Sequence, residues 1–158
     1  MKIVNAHIWP RSASDHLPIF GLEVSDIHSP RNVLRLHQAI ERSFNRRQVC
    51  FVQGEGGNTF ILKVLDGTLR STKLKGTSTT FADIEGKTLQ TLKGNHLPFR
   101  RFLAHHAVLC YRYAREKEWI ASEDLSEIEV QDKALLEHSL DEKAQQRIKY
   151  LWASRETS

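Results

Sequence analysis

His7 ends a short apolar run, Ile3-Val4-Asn5-Ala6-His7-Ile8, that stops at Pro10. Glu41 and Asn45 lie four apart in a later stretch of helical pattern. A neutral imidazole suits the removal of a proton from water near pH 7, because its ordinary pKa lies close to that range. A carboxylate and an amide oxygen stacked one helical turn apart suit a hard divalent cation. A base and a cation meeting at one phosphate are the two parts phosphodiester hydrolysis needs. One makes a water nucleophilic, and the other stabilises the leaving oxygen.

The elements that must position these residues are legible in the pattern. Val33-Leu34-Arg35-Leu36 alternates apolar and charged residues like a strand. His37 to Asn45 reads as a helix, with Leu36, Ile40 and Phe44 on one face and Glu41 and Asn45 on the next. Between the first strand and the second lies a polar connection, residues 11–31, with a small apolar knot at Leu17-Pro18-Ile19-Phe20. Connections this long inside a compact domain are usually functional or locally packed. His16 and His28 fall in it and read as exposed loop histidines.

Three pieces, AHIWP around His7, the SPRN turn with Asn32, and IERSFNRRQVCF, stand in an order and spacing that resembles the HNH, or His-metal finger, nucleases. The likeness is to the branch common in fungi and in some secreted effectors of filamentous microbes. It covers residues 1–51 and, more loosely, 98–119. The resemblance implies that His7 is the general base and that Asn32 steadies its loop through side chain to backbone bonds. It also implies that Glu41 and Asn45 are the metal ligands. Glu41 stands nine positions after Asn32, where the family carries a metal-binding His; Asn45 stands where the wider branch often carries Asp. His37 follows Asn32 too closely to be that His, but one turn from Glu41 it is kept as an auxiliary contact. Mg²⁺ or Mn²⁺ is the implied cofactor and double-stranded DNA the implied partner, with 3′-hydroxyl and 5′-phosphate products.

Arg11, Arg31, Arg46 and Arg47 flank these pieces and are the candidate nucleic-acid contacts. Guanidinium groups grip phosphates in two-pronged fashion, positioning a duplex without reading it, so little sequence preference is expected. The chain departs from the family in three places. Ala6 stands where many members carry an acid or His, Glu41 hardens the site against zinc, and Asn45 lacks the charge of Asp. The alternative reading is a catalytically decayed module on the same fold that binds nucleic acid or a protein partner.

Charge distribution supports a polyanionic partner. Residues 1–115 hold 17 Lys and Arg against 8 Asp and Glu, whereas residues 116–158 hold 6 against 11. The basic excess thus sits with the motif, where it steers polyanions at long range. At 158 residues one domain over 1–158 is expected. No apolar run approaches the roughly 20 residues of a membrane span. The first residues run directly into a strand, so no signal segment is visible and an intracellular site is expected. Cys50 and Cys110 sit in apolar patterns without a CxxC spacing and read as buried thiols.

The fold class expected is α+β: a ββα-metal finger with a small antiparallel sheet, packed against C-terminal helices. Residues 1–51 form the finger and following strand, 52–97 a β extension and 98–158 a helical part. Val49–Val52 and Thr59–Leu65 read as a hairpin, and Leu69–Leu74 as a third strand. The glycines at 54–57 lack the Lys-Ser/Thr signature and following helix of a phosphate loop. Pro98 opens a long amphipathic helix in which adjacent His105 and His106 point apart, with His106 read as a buried, hydrogen-bonded core residue. Ser126 with Glu129 and Ser139 with Glu142 match capping boxes, predicting helices near 127–138 and 140–153.

Overall fold

Strand β1 (Ile3–His7) pairs antiparallel with β2 (Val33–His37), Ile3 opposite His37 and His7 opposite Val33. Helix α1 (Gln38–Asn45) follows β2 without a loop, completing a ββα finger. The computed structural model describes residues 2–10, 14, 15, 17, 22–55, 59–89 and 100–139, for 134–139 the backbone alone. His37 makes the direct passage from strand to helix by capping it: its Nδ1 accepts the Ala39 N–H at 3.0 Å. A side chain in this place satisfies one of the donors that every helix start leaves over.

A second antiparallel pair follows, β3 (Val49–Gln53) with β4 (Phe60–Val64), Val49 facing Val64 across the ladder. Phe60, Leu62 and Val64 are buried in β4 and the residues between them less so, the alternation of a strand with one face on a core. Helix α2 (Phe81–Ile84) is one turn, helix α3 (Arg100–Glu116) lies on β3, and helix α4 (Ser122–Ser139) packs on α3. The architecture is therefore α+β, with two small antiparallel pairs and helices against them.

Two apolar clusters hold these elements. The first joins Leu34, Leu36 and Phe44 of the finger to Trp9, Val49, Phe51, Phe102 and Leu103. The second joins Cys50 of β3 to Val108, Cys110 and Ala114 of α3 and Ile128 of α4. Fully burying an aromatic or branched side chain stabilises by about 1.5–3 kcal/mol. Phe44, 1 % exposed, is thus a main reason that α1 stays on the finger. Both cysteines are free and buried.

Two expectations from the sequence are corrected. Leu69–Leu74 is not a strand: Gly67–Leu69 is a 3-10 turn, and Lys73 meets Thr80 in an isolated bridge. Asp66 drives the turn by accepting the Thr68 N–H at 3.1 Å and hydroxyl at 2.7 Å. Helix α4 starts at Ser122, not near 127, because Asp124 reaches back to the Ala121 N–H at 3.3 Å. Ser126 then lies inside the helix and donates to the Ser122 carbonyl. Helix α2 is not foretold by the apolar pattern, although Thr80 and Asp83 cap each other reciprocally. Pro98, Ser139 with Glu142 and the helix expected at 140–153 involve positions outside the described residues.

Candidate functional site

His7 ends β1 and is half-buried; its ring makes no hydrogen bond to the described residues. The turn after it is fastened on both edges. The Ile8 N–H donates to the Asn32 carbonyl at 2.9 Å, and the Trp9 N–H donates to Asn32 Oδ1 at 2.7 Å. Asn32 Nδ2 donates in return to the carbonyls of Trp9 at 3.2 Å and Ile27 at 3.0 Å. Asn32 is 0 % exposed, so these bonds form where an unmet polar group is expensive. The Trp9 ring then lies against Phe102 and His105 of α3, at centroid distances of 5.3 and 5.2 Å. The backbone that carries His7 is thereby held between the 3-10 turn Pro30–Asn32 and α3.

Glu41 and Asn45 stand one turn apart on α1, and Asn45 Nδ2 donates to Glu41 Oε1 at 2.8 Å. The bond leaves Asn45 Oδ1 and Glu41 Oε2 without a hydrogen bond among the described residues. Just beyond Asn45 the helix ends in a tight reverse turn. Gln48 N–H donates to the Ser43 carbonyl at 2.9 Å and Arg47 N–H to the Phe44 carbonyl at 3.2 Å. Arg47 takes φ 61°, a position that favours glycine. Its guanidinium carbon lies 5.9 Å from the Tyr113 ring centre.

A cleft of about 160 Å³ brings several of these groups together. His7, Ile8, Trp9 and Pro10 form one wall, and Phe44, Asn45 and Arg47 another. Helix α3 closes the third side with Phe102, His105, His106 and Leu109. His7 and Asn45 thus line one space; Glu41 is not part of that lining but accepts the hydrogen bond of Asn45. His106 is neutral: burial pushes its pKa down to about 4, partly offset by its bond to the Phe44 carbonyl, and Arg47 lowers it further. Its hydrogen bond to the Phe44 carbonyl is as expected, but its surface is only partly buried and it lines the cleft.

The other candidates fall differently. His37, expected as an auxiliary contact, is engaged by the protein itself. Its Nδ1 caps α1, and its Nε2 donates to the Lys75 carbonyl at 3.0 Å, so both ring nitrogens are committed. Arg31 sits in the turn that ends at Asn32 and is exposed, as are Arg46 and Arg47 at the end of α1. His28 is exposed, whereas Arg11 and His16 lie outside the described residues. Arg101, expected from the sequence on the side of α3 away from the core, is in fact partly buried. Burial, and next the charge of Arg31, lower its pKa. The far wall on α3 carries no local signal, because it is assembled by contacts such as His106 to Phe44, 62 positions apart.

Among the described residues, no group of three or more His, Cys, Asp or Glu is arranged to hold a metal ion. A closed zinc cage needs four such ligands. The donors present, one carboxylate and one amide oxygen, match instead the chemistry of a Mg²⁺-type ion, which keeps waters and takes phosphate oxygens. No described helix is long and apolar enough to cross a membrane.

Comparison with known proteins agrees with this geometry. No curated protein and no solved structure matches the chain. Residues 2–52 match the family described as HNH endonuclease, and the matched stretch spans β1, the Asn32 turn, β2, α1 and nearly all of β3. Nuclease-type chemistry on nucleic acid with a divalent metal is the general property of that family. Over residues 2–52, the chain is similar to the HNH endonuclease family.

Proposed function

We propose that this protein is a metal-dependent endonuclease that hydrolyses phosphodiester bonds of double-stranded DNA with little sequence preference. The observation that carries the proposal is the shared cleft: His7 from β1 and Asn45 from α1 open onto one space. His7 is the general base. Its ring has no protein partner among the described residues, so a ring nitrogen is available to take a proton from water. Asn32 acts through the backbone, holding the turn after His7 so that the ring keeps one aim.

Glu41 and Asn45 are the residues that would hold Mg²⁺ or Mn²⁺. When bound, such an ion supplies Lewis-acid polarisation of the phosphate and stabilises the leaving oxygen. Arg47 stands at the cleft wall, and Arg31 and Arg46 are exposed; these groups would grip phosphates on either side of the bond to be cut. Arg11 belongs to the same proposed set. None of these contacts reads a base edge, which is why cutting should depend little on sequence.

The second reading, a catalytically decayed module that binds nucleic acid or a protein partner, is favoured by the thin donor set of a single carboxylate and an amide. Plasmid nicking separates the two. The nuclease reading expects conversion of supercoiled to open-circular DNA with Mg²⁺ or Mn²⁺, lost with EDTA and lost in His7→Ala. Duplex binding with no cutting across several divalent metals would select the binder.

A further inference from the structure

We propose that His106 is a positioning residue for this cleft: its hydrogen bond to the Phe44 carbonyl fixes the end of α1 and hence the aim of Asn45 and Arg47. The role in catalysis rests on the nuclease reading above; the mechanical role does not. Carbonyls only accept, so the 3.0 Å contact puts the ring hydrogen on Nε2 and leaves Nδ1 with its lone pair. The Cys110 thiol lies 3.6 Å from that Nδ1. The imidazole also stacks on the Phe44 ring, with centroids 3.6 Å apart and planes 16° from parallel. One side chain of α3 thus holds both the backbone and the side chain of the residue preceding Asn45.

The bonded carbonyl belongs to the peptide group that joins Phe44 to Asn45. Peptide groups are planar, so fixing the carbonyl oxygen fixes the plane from which the Asn45 Cα departs. Asn45 passes the constraint on by its 2.8 Å bond to Glu41, and Arg47 takes it up through its own N–H on the same carbonyl. That second donor narrows what the histidine is for. With Arg47 N–H already at 3.2 Å, the Phe44 carbonyl would be satisfied without a histidine. A leucine or methionine could fill the space without desolvating a polar ring. What the imidazole adds is direction, at the point where the turn carries a non-glycine residue at φ 61°.

The test uses His106→Leu, which keeps the approximate volume and removes the bond, and His106→Gln, whose amide nitrogen can stand in for Nε2. Amide hydrogen exchange of Asn45–Gln48 is read first, in the full chain without DNA. We expect faster exchange in His106→Leu and near-wild-type exchange in His106→Gln. Duplex cleavage is read second: kcat at saturating Mn²⁺ should fall about tenfold in His106→Leu, and the Mn²⁺ half-saturation should rise, with KM for the duplex little changed. His106→Gln should recover most of both. Unchanged exchange in a folded His106→Leu overturns the proposal, as does His106→Gln behaving like His106→Leu. If the wild type cuts nothing while exchange responds as expected, the nuclease reading fails and the positioning role stands.

Discussion

Helix α3 has an opening at each end, and the two differ in a way that size does not report. Near its first turns lies the cleft of about 160 Å³ shared by His7, Asn45 and Arg47. Near its last turn lies a groove of about 630 Å³ between the β3–β4 hairpin and the α3–α4 corner. The larger one has no histidine among its described lining, and its Arg70 is paired with Glu85 at 3.3 Å. The smaller one gathers a histidine, an amide and a guanidinium from elements that only the fold brings together. Both also adjoin a helix that ends on a non-glycine residue of positive φ, Arg47 after α1 and Glu118 after α3. Chemistry follows which groups converge, and volume is a poor guide to it.

The largest effect that distinguishes the two openings should come from His7. Removing a general base lowers kcat by about 10²- to 10⁴-fold. His7→Ala should therefore abolish nicking at near-normal stability, whereas Lys63→Ala in the groove should leave the rate unchanged. Comparable losses from both would erase the distinction. Next comes the clamp. Asn32→Ala leaves the Trp9 and Ile27 backbone groups unmet in a buried place, and should cost about 2–4 kcal/mol by urea unfolding, together with activity. A milder cost would mean that the His7 turn holds itself.

These first two outcomes bear on how much the sequence discloses. The finger is legible because its signals are local: alternation in β1 and β2, Pro10 and Asn32 as punctuation, and the Leu36, Ile40, Phe44 stripe. The use of His37 is not legible, since its second nitrogen is taken by a carbonyl 38 positions away. For the same reason the α3 wall is hidden: His105 and His106 read only as an adjacent pair, and what separates them is that one meets Trp9 and the other Phe44. Around 69–84 the β pattern misleads because short capping bonds of Asp66, Thr80 and Asp83 override weak strand propensity.

A third contrast lies in pH. His106, facing the cleft, has its pKa pushed down to about 4 by burial. Between about 6.5 and 4 the unfolded chain binds a proton that the folded chain refuses, so this residue makes stability fall as pH drops. Asp132, buried on α4, is pushed up to about 7 by burial; Arg112 counteracts the rise and Glu129 adds to it. From about 4 to 7 the unfolded carboxyl ionises while the folded one stays protonated, so Asp132 makes stability fall as pH rises. A tenfold difference in proton affinity between the folded and unfolded chain corresponds to about 1.4 kcal/mol, so each residue is worth up to a few kcal/mol. Over their shared window they oppose one another. Urea unfolding from pH 4 to 8 should show Asp132→Asn exposing the acid-side loss and His106→Leu the alkaline-side loss. Identical profiles for both variants would contradict the assignment.

The smallest effect compares the two strained helix ends. Glycine relieves the left-handed conformation but gains freedom when unfolded, so Glu118→Gly should stabilise by up to about 1 kcal/mol without changing DNA affinity. Arg47→Gly should stabilise less, because the contact with Tyr113 goes too. It should also weaken duplex binding and reduce its salt slope by about one. An unchanged slope would remove Arg47 from the phosphate contacts and leave its strain unexplained.

The most direct test of the shared cleft is an anomalous difference map from crystals of the protein with Mn²⁺ and a short duplex. The account predicts a peak within coordination distance, about 2–2.5 Å, of oxygens from Glu41 and Asn45, on the side that His7 faces. A map whose only manganese lies elsewhere on the molecule, with the His7 ring turned from the bound phosphate, would contradict it.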